Sequence, residues 1–158
     1  MAIRFNIEKI KMYALAIIIP LALGGIVGFI TSGSMDYDVL RQPALSPPGF
    51  LFPIVWTILY ILMGVSFGLL MDKGVLDDNA KWIYYIQLFV NLVWPILFFT
   101  LKWRLLAFIW IIVLDFLVLT MVVKFYGKDK IAGLLQVPYL AWVLFATYLN
   151  LGVYLLNR

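Results

Sequence analysis

Pro47-Pro48-Gly49-Phe50-Leu51-Phe52-Pro53-Ile54-Val55-Trp56-Thr57-Ile58-Leu59-Tyr60 is the stretch around which the chain is organised. Two adjacent prolines donate no backbone hydrogen bonds and hold the residues before them extended, so a loop ends here. An uncharged apolar run from Phe50 to Met71 follows at once, and Pro53 falls in its first turn or so, where a missing N–H costs least. Trp56 and Tyr60 are four residues apart and share a helical face. A constrained loop therefore feeds a helix that presents two large aromatic side chains one turn apart.

Working outward, apolar segments near 12–30, 50–71, 82–101, 105–123 and 131–156 each reach the ~20 residues that cross a hydrocarbon core. Of the 158 residues, 65% are hydrophobic and 13% charged, against about 45–50% and 25% in soluble domains. The expected fold is an all-α integral membrane protein, one bundle of five transmembrane helices spanning 1–158. The first segment follows Arg4, Lys9 and Lys11. Its apolar run is longer than a signal-peptide core, although Ser32-Gly33-Ser34 offers a weak cleavage pattern. Gly24-Gly25-x-x-Gly28 and Gly64-x-x-x-Gly68 fit close helix packing, inside the bundle or between subunits.

Composition also excludes chemistry. Cys is absent, which removes disulfides and thiolate metal sites, and His is absent, which removes imidazole ligation and the commonest general base. No metal site and no obligatory cofactor is expected. The net charge of +4 sits in loops and termini, where it reports orientation and contact with membrane lipids rather than nucleic-acid binding. Eight of the 12 Lys and Arg residues lie on the N-terminal side with the second and fourth loops. That excess predicts a cytoplasmic N-terminus, in a cell membrane.

At a rise of ~1.5 Å per residue, Trp56, Asn91, Asp115 and Ala146 fall roughly 12–15 Å below the face carrying the longest loop, 31–46. Trp94 lies about 10 Å deep, and Trp142 is one turn beyond Ala146 on the same face. One layer of polar, aromatic and small residues, open toward a lid, is the architecture of a small-molecule pocket; the loop also reads as a plain connector. Of the six Trp residues, Trp82 and Trp103 sit at segment ends as interface anchors. Trp56, Trp94, Trp110 and Trp142 line either a pocket or the core. Asp115 is the one acidic residue inside a span, so it faces the interior, is protonated, or is paired, with Asn91 and Tyr60 as candidate partners. It reads as a hydrogen-bond anchor between helices or as a proton site. Pro95 and Pro138 predict kinks in the third and fifth helices. Leu151, Tyr154 and Arg158 fit a loose sterol-contact pattern that ordinary interface anchoring also explains.

The motifs together resemble the TspO/translocator-protein family, the tryptophan-rich sensory proteins. Phe52-Pro53-x-x-Trp56-Thr57-x-Leu59-Tyr60 resembles its second helix, and Asn91-Leu92-x-Trp94-Pro95-x-x-Phe98-Phe99 its third. Pro138-Tyr139-Leu140-Ala141-Trp142-x-x-Phe145-Ala146-Thr147-x-Leu149-Asn150 is similar to its fifth. The resemblance implies a five-helix bundle, usually a homodimer, that binds porphyrin or haem, and in some members sterols or synthetic aromatic ligands. It implies a receptor or sensor function, with oxidative or light-dependent porphyrin breakdown or ligand transport as alternatives. Carried onto this chain, the pocket positions are Trp56, Tyr60, Asn91, Trp94, Trp142 and Ala146, with Trp56 and Trp142 the redox candidates; Phe98 and Asp115 are further candidate ligand-binding residues. Arg41, Lys102 and Arg104 share the lid face and are placed to meet propionates. Leu45 stands where the family commonly has a loop Trp, and Gln42 where it has Lys.

Overall fold

The computed structural model describes residues 2–158, with side chains from Asn6 onward; the Arg4 side chain, counted above for orientation, lies outside the described residues. Helix α1 runs Ala2–Ser32, α2 Leu51–Asp72, α3 Asp78–Pro95, α4 Arg104–Lys128, α5 Lys130–Leu135 and α6 Val137–Leu156. Five spans are long and apolar enough to cross a membrane, α5 and α6 together forming the fifth. The chain is an integral, multi-pass membrane protein.

Both predicted proline effects take a definite form. Pro95 closes α3, and the chain continues as a π-helical turn over Ile96–Thr100 before the hairpin at Lys102. The fifth span is broken at Gln136, where Pro138 at the start of α6 has no N–H to offer the preceding turn. Helix α1 is longer than the apolar run predicted, and most of its surface stays open.

In lipid, helix association rests on packing and hydrogen bonds rather than on the hydrophobic effect, so backbone approach matters. At Gly64 a Cβ would stand 2.5 Å from the Ala16 carbonyl oxygen, and at Gly68 2.6 Å from the Tyr13 ring. Those two glycines set the α1–α2 crossing as expected. Gly24 is needed for the same reason, since its Cβ would meet the Tyr60 ring at 2.2 Å. Gly25 and Gly28 do not serve packing inside the bundle, because a Cβ at either meets nothing within 4 Å among the described residues.

The two faces of the bundle are closed differently. On the face carrying the second and fourth loops, Asp77 caps α3 and pairs with Lys128, while Asp129 caps α5 and pairs with Lys73. Lys9 meets Asp72 at 2.7 Å on the same face. Lysine partners and backbone N–H donors hold the Asp77 and Asp129 carboxyls below the usual carboxylate range. On the other face, loop 33–50 is laid down as a strap along α6. Asn157 exchanges hydrogen bonds with the backbone of Arg41, Gly152 receives Pro43, and the Tyr148 hydroxyl donates to the Ala44 carbonyl.

Candidate functional site

Beneath that strap a cavity of about 500 Å³ opens between α1, α2 and α3. Its α2 wall carries Phe52, Trp56 and Tyr60 at one-turn spacing, the face that Pro53 and the preceding loop aim inward. Its α3 wall carries Asn91, Trp94 and Pro95, ending in Phe99 on the π-turn. Its α1 wall is Leu21, Gly24, Gly25, Gly28, Thr31 and Ser32, one face of that helix. At Gly25 and Gly28 this wall is bare backbone, which gives the glycine cluster a meaning other than helix packing.

Four of the residues singled out from sequence therefore meet here: Trp56, Tyr60, Asn91 and Trp94. Four do not line this cavity. Phe98 is buried behind it, stacked on Trp94 with ring centroids 5.2 Å apart. Ala146 is buried in the core. Trp142 faces a shallow apolar groove between α2 and α6, beyond Phe52, whose ring it meets edge-on at 5.8 Å. Asp115 sits at the contact of α4 with α6. The residues of the expected layer are thus divided around the bundle axis. Asp115 of α4 and Thr147 of α6 face each other, while α1, missing from the expected pocket, supplies a wall.

The hydrogen bonds correct the partner expected for Asp115. Tyr60 donates to Asn91 Oδ1 at 2.8 Å, Asn91 Nδ2 donates to the Tyr139 hydroxyl at 2.8 Å, and Tyr139 donates to Gln87 Oε1 at 2.8 Å. Asp115 takes Thr147 instead, at 2.7 Å. The relay Tyr60–Asn91–Tyr139–Gln87 joins three spans below the cavity floor and satisfies groups that would otherwise be costly in a bilayer. Tyr139 and Gln87 were missed as partners; a Tyr and a Gln inside apolar helices were the available signal.

Indole N–H groups divide the interior tryptophans. Trp94 donates to Asn150 Oδ1 at 2.9 Å and Trp110 to the Val90 carbonyl at 2.8 Å, whereas the buried Nε1 of Trp142 has no protein acceptor. Trp82 and Trp103 are exposed at span ends, in the manner of interface anchors.

Two of the three basic side chains singled out on the lid face pair with loop one. Arg104 donates to Asp36 Oδ2 at 2.7 Å and Lys102 stands 3.4 Å from the same oxygen, so the start of α4 clasps loop one. This differs from the expectation that both residues wait for propionates; Lys102, more than half exposed, keeps a face open to solvent. Arg41 is exposed and tied through its backbone alone to Asn157. Tyr37, which lines the cavity roof, donates to the Pro47 carbonyl, and burial pushes its phenol above the ordinary value. Leu45 is 84% exposed with φ +66°, so the position where the family commonly has Trp points out of the lid and not into the cavity. Of the sterol-pattern residues, Leu151 is exposed, whereas Tyr154 and Arg158 border a shallow groove with Lys102 and Ile109.

Comparison with known proteins agrees with this architecture. The TspO/MBR family model matches residues 16–156. The chain is 39% identical over 155 residues to the tryptophan-rich protein TspO of Archaeoglobus fulgidus, covering 96% of this chain and 99% of that protein. It is 39% identical over 142 residues to protein CrtK of Rhodobacter capsulatus, covering 86% and 87% of the two chains. To the translocator protein of Homo sapiens it is 30% identical over 122 residues, covering 75% and 72%. Five apolar spans, the Trp56/Tyr60 and Asn91/Trp94 walls and these matches lead to one conclusion: the chain belongs to the TspO/MBR family of membrane proteins.

Proposed function

We propose that this protein is a membrane receptor or sensor that takes a flat, largely apolar molecule, with a free-base porphyrin as the leading ligand class, into the cavity beneath loop one. The observation that carries the reading is the wall chemistry. Indole, phenol and phenyl faces of Trp56, Trp94, Tyr60 and Phe52 surround about 500 Å³, with Asn91 and Thr31 among the few polar side chains. Aromatic faces stack on an extended π-system, and a mostly apolar concave site with few polar groups is the usual form of a small-molecule pocket. With no His or Cys in the chain, a metal-free ring, or haem held by its edge, suits the site better than axially ligated haem. The names of the relatives, a sensory protein and a translocator protein among them, support a ligand-responsive membrane function. The Lys and Arg excess beside the second and fourth loops supports a cytoplasmic N-terminus.

Titration of the full chain in detergent with protoporphyrin, followed by intrinsic Trp fluorescence, tests the reading. Wild type is expected to quench saturably, and Trp56→Ala to lose affinity. Linear, unsaturable quenching that is the same in both would overturn it. The oxidative alternative keeps Trp56 at the cavity but has Trp142 outside it, so porphyrin breakdown under light and oxygen is expected to depend on Trp56 and not on Trp142.

A further inference from the structure

On the side of the bundle away from the cavity, one carboxyl lies deep in the membrane. Asp115 is roughly 16 Å along α4 from Arg104, near the middle of a ~30 Å hydrocarbon core. Its Oδ2 lies 2.7 Å from Thr147 Oγ1, and the same hydroxyl oxygen lies 3.0 Å from the Val143 carbonyl one turn back on α6. Asp115 Oδ1 is buried and has no hydrogen-bond partner among the described residues.

A threonine hydroxyl has one proton to give. Were the carboxyl ionised, Thr147 would have two acceptors and one proton, so one close oxygen pair would hold no hydrogen. A bare, buried carboxylate oxygen would also remain, and no Lys or Arg among the described residues forms an ion pair with Asp115. On α4 the charged residues Arg104, Lys124 and Lys128 all stand roughly 13 Å or more away along the axis. The ionisable side chains of α6 are Tyr139, which turns into the core relay, Tyr148, which donates to loop one, and Tyr154, near the far end. One proton on the carboxyl resolves both problems. Asp115 Oδ2–H then donates to Thr147, Thr147 donates to Val143, and Oδ1 becomes a carbonyl oxygen, far cheaper to leave in an apolar setting than a charge.

We propose that Asp115 is a proton-binding site within the membrane, a neutral carboxylic acid that donates to Thr147 at the α4–α6 seam and is open to apolar carboxyl reagents arriving through the lipid. Access follows from the surroundings: Asp115 and Thr147 are each partly exposed, and Phe116, Leu119 and Leu144 beside them are exposed apolar residues. The inference does not rest on the ligand reading, because Asp115 lines no part of the cavity.

The test uses the full chain in phospholipid vesicles at neutral pH. Infrared difference spectra of wild type against D115N are expected to show a carboxylic-acid carbonyl band that the variant lacks. In T147V the band is expected to persist and move to higher frequency as the hydrogen bond is lost. Dicyclohexylcarbodiimide is expected to label Asp115. The acid's O–H adds across one C=N bond, with the carboxyl oxygen on the central carbon and the proton on nitrogen. An internal acyl shift then gives a stable adduct that carries the whole reagent. A water-soluble carbodiimide is expected to label more slowly by on the order of tenfold, because the seam opens to lipid. Identical carbonyl regions in wild type and D115N would show an ionised Asp115 and overturn the proposal. Equal labelling by the two reagents, or none by the lipid-soluble one, would overturn the access through lipid. If D115N does not fold, T147V carries the test, and an unshifted or absent acid band in it counts against the proposal.

Discussion

The hydroxyl of Tyr60 on α2 donates to the side-chain oxygen of Asn91 on α3 at 2.8 Å, and both residues line the cavity. The same Asn91 amide passes a hydrogen bond on to Tyr139, so the cavity floor is also the joint that holds three spans together. Tyr60→Phe removes the donor and leaves the Asn91 oxygen buried without one. The expected cost is about 1–3 kcal/mol, the usual range for a buried group left unsatisfied. Thermal or denaturant unfolding of the ligand-free protein in detergent measures it, and an unchanged midpoint would show that the relay carries no stability.

The glycines of α1 and α2 predict opposite outcomes for the same substitution. Gly64→Ala drives a methyl to within 2.5 Å of the α1 backbone, which must shift, so a loss of about 1–3 kcal/mol is expected. Gly25→Ala meets open space and gains helix propensity, so the ligand-free protein should keep or slightly raise its stability, by roughly 0–1 kcal/mol. Melting the two variants side by side checks the contrast, and equal losses would contradict the assignment of Gly25 to the cavity wall.

Ala146 now belongs to the core rather than to the pocket. Ala146→Leu is expected to overpack and cost about 1–3 kcal/mol without ligand. Porphyrin affinity in the folded fraction should be unchanged. A stable variant with weakened binding would return Ala146 to the site.

Asp77 and Asp129 give the second-and-fourth-loop face a pH dependence. Each carboxyl is held below its usual range by a lysine and a capped backbone N–H. Their contribution is therefore complete above the unfolded value of ~3.9 and declines as pH falls through the lowered folded values. Melting curves from neutral pH down to about pH 3 should show a falling midpoint, and Asp129→Asn, which keeps a capping oxygen, should flatten part of that fall. A midpoint equally steep in both proteins would place the acid sensitivity elsewhere.

How much of this was legible in the sequence follows the physics of a helix. Length and apolarity give the spans, and the rise per residue gives an expected depth for Trp56, Asn91, Asp115 and Ala146. Depth says nothing about rotation around the bundle axis. That is set by which helices touch, and contacts of α4 with α6 turned Asp115 toward Thr147. Gly25 and Gly28 were read as packing glycines, inside the bundle or between subunits, because small residues serve close contacts and cavities alike; within one chain, only the presence or absence of an opposing group separates the two uses. Lys102 and Arg104 were placed to meet propionates without their Asp36 pairing, because Asp36 lies far away in sequence.

The central claim is that the cavity walled by α1, α2 and α3 takes a flat aromatic ligand, and Gly28→Leu tests it most directly. Gly28 lines the cavity and a Cβ there meets nothing within 4 Å, so the larger side chain is expected to enter cavity space. Protoporphyrin titration and ligand-free melting are measured on the same preparation. The account predicts an unchanged melting midpoint together with a loss of affinity of at least about tenfold, the equivalent of one well-made contact. Wild-type affinity in a Gly28→Leu variant of wild-type stability would contradict it.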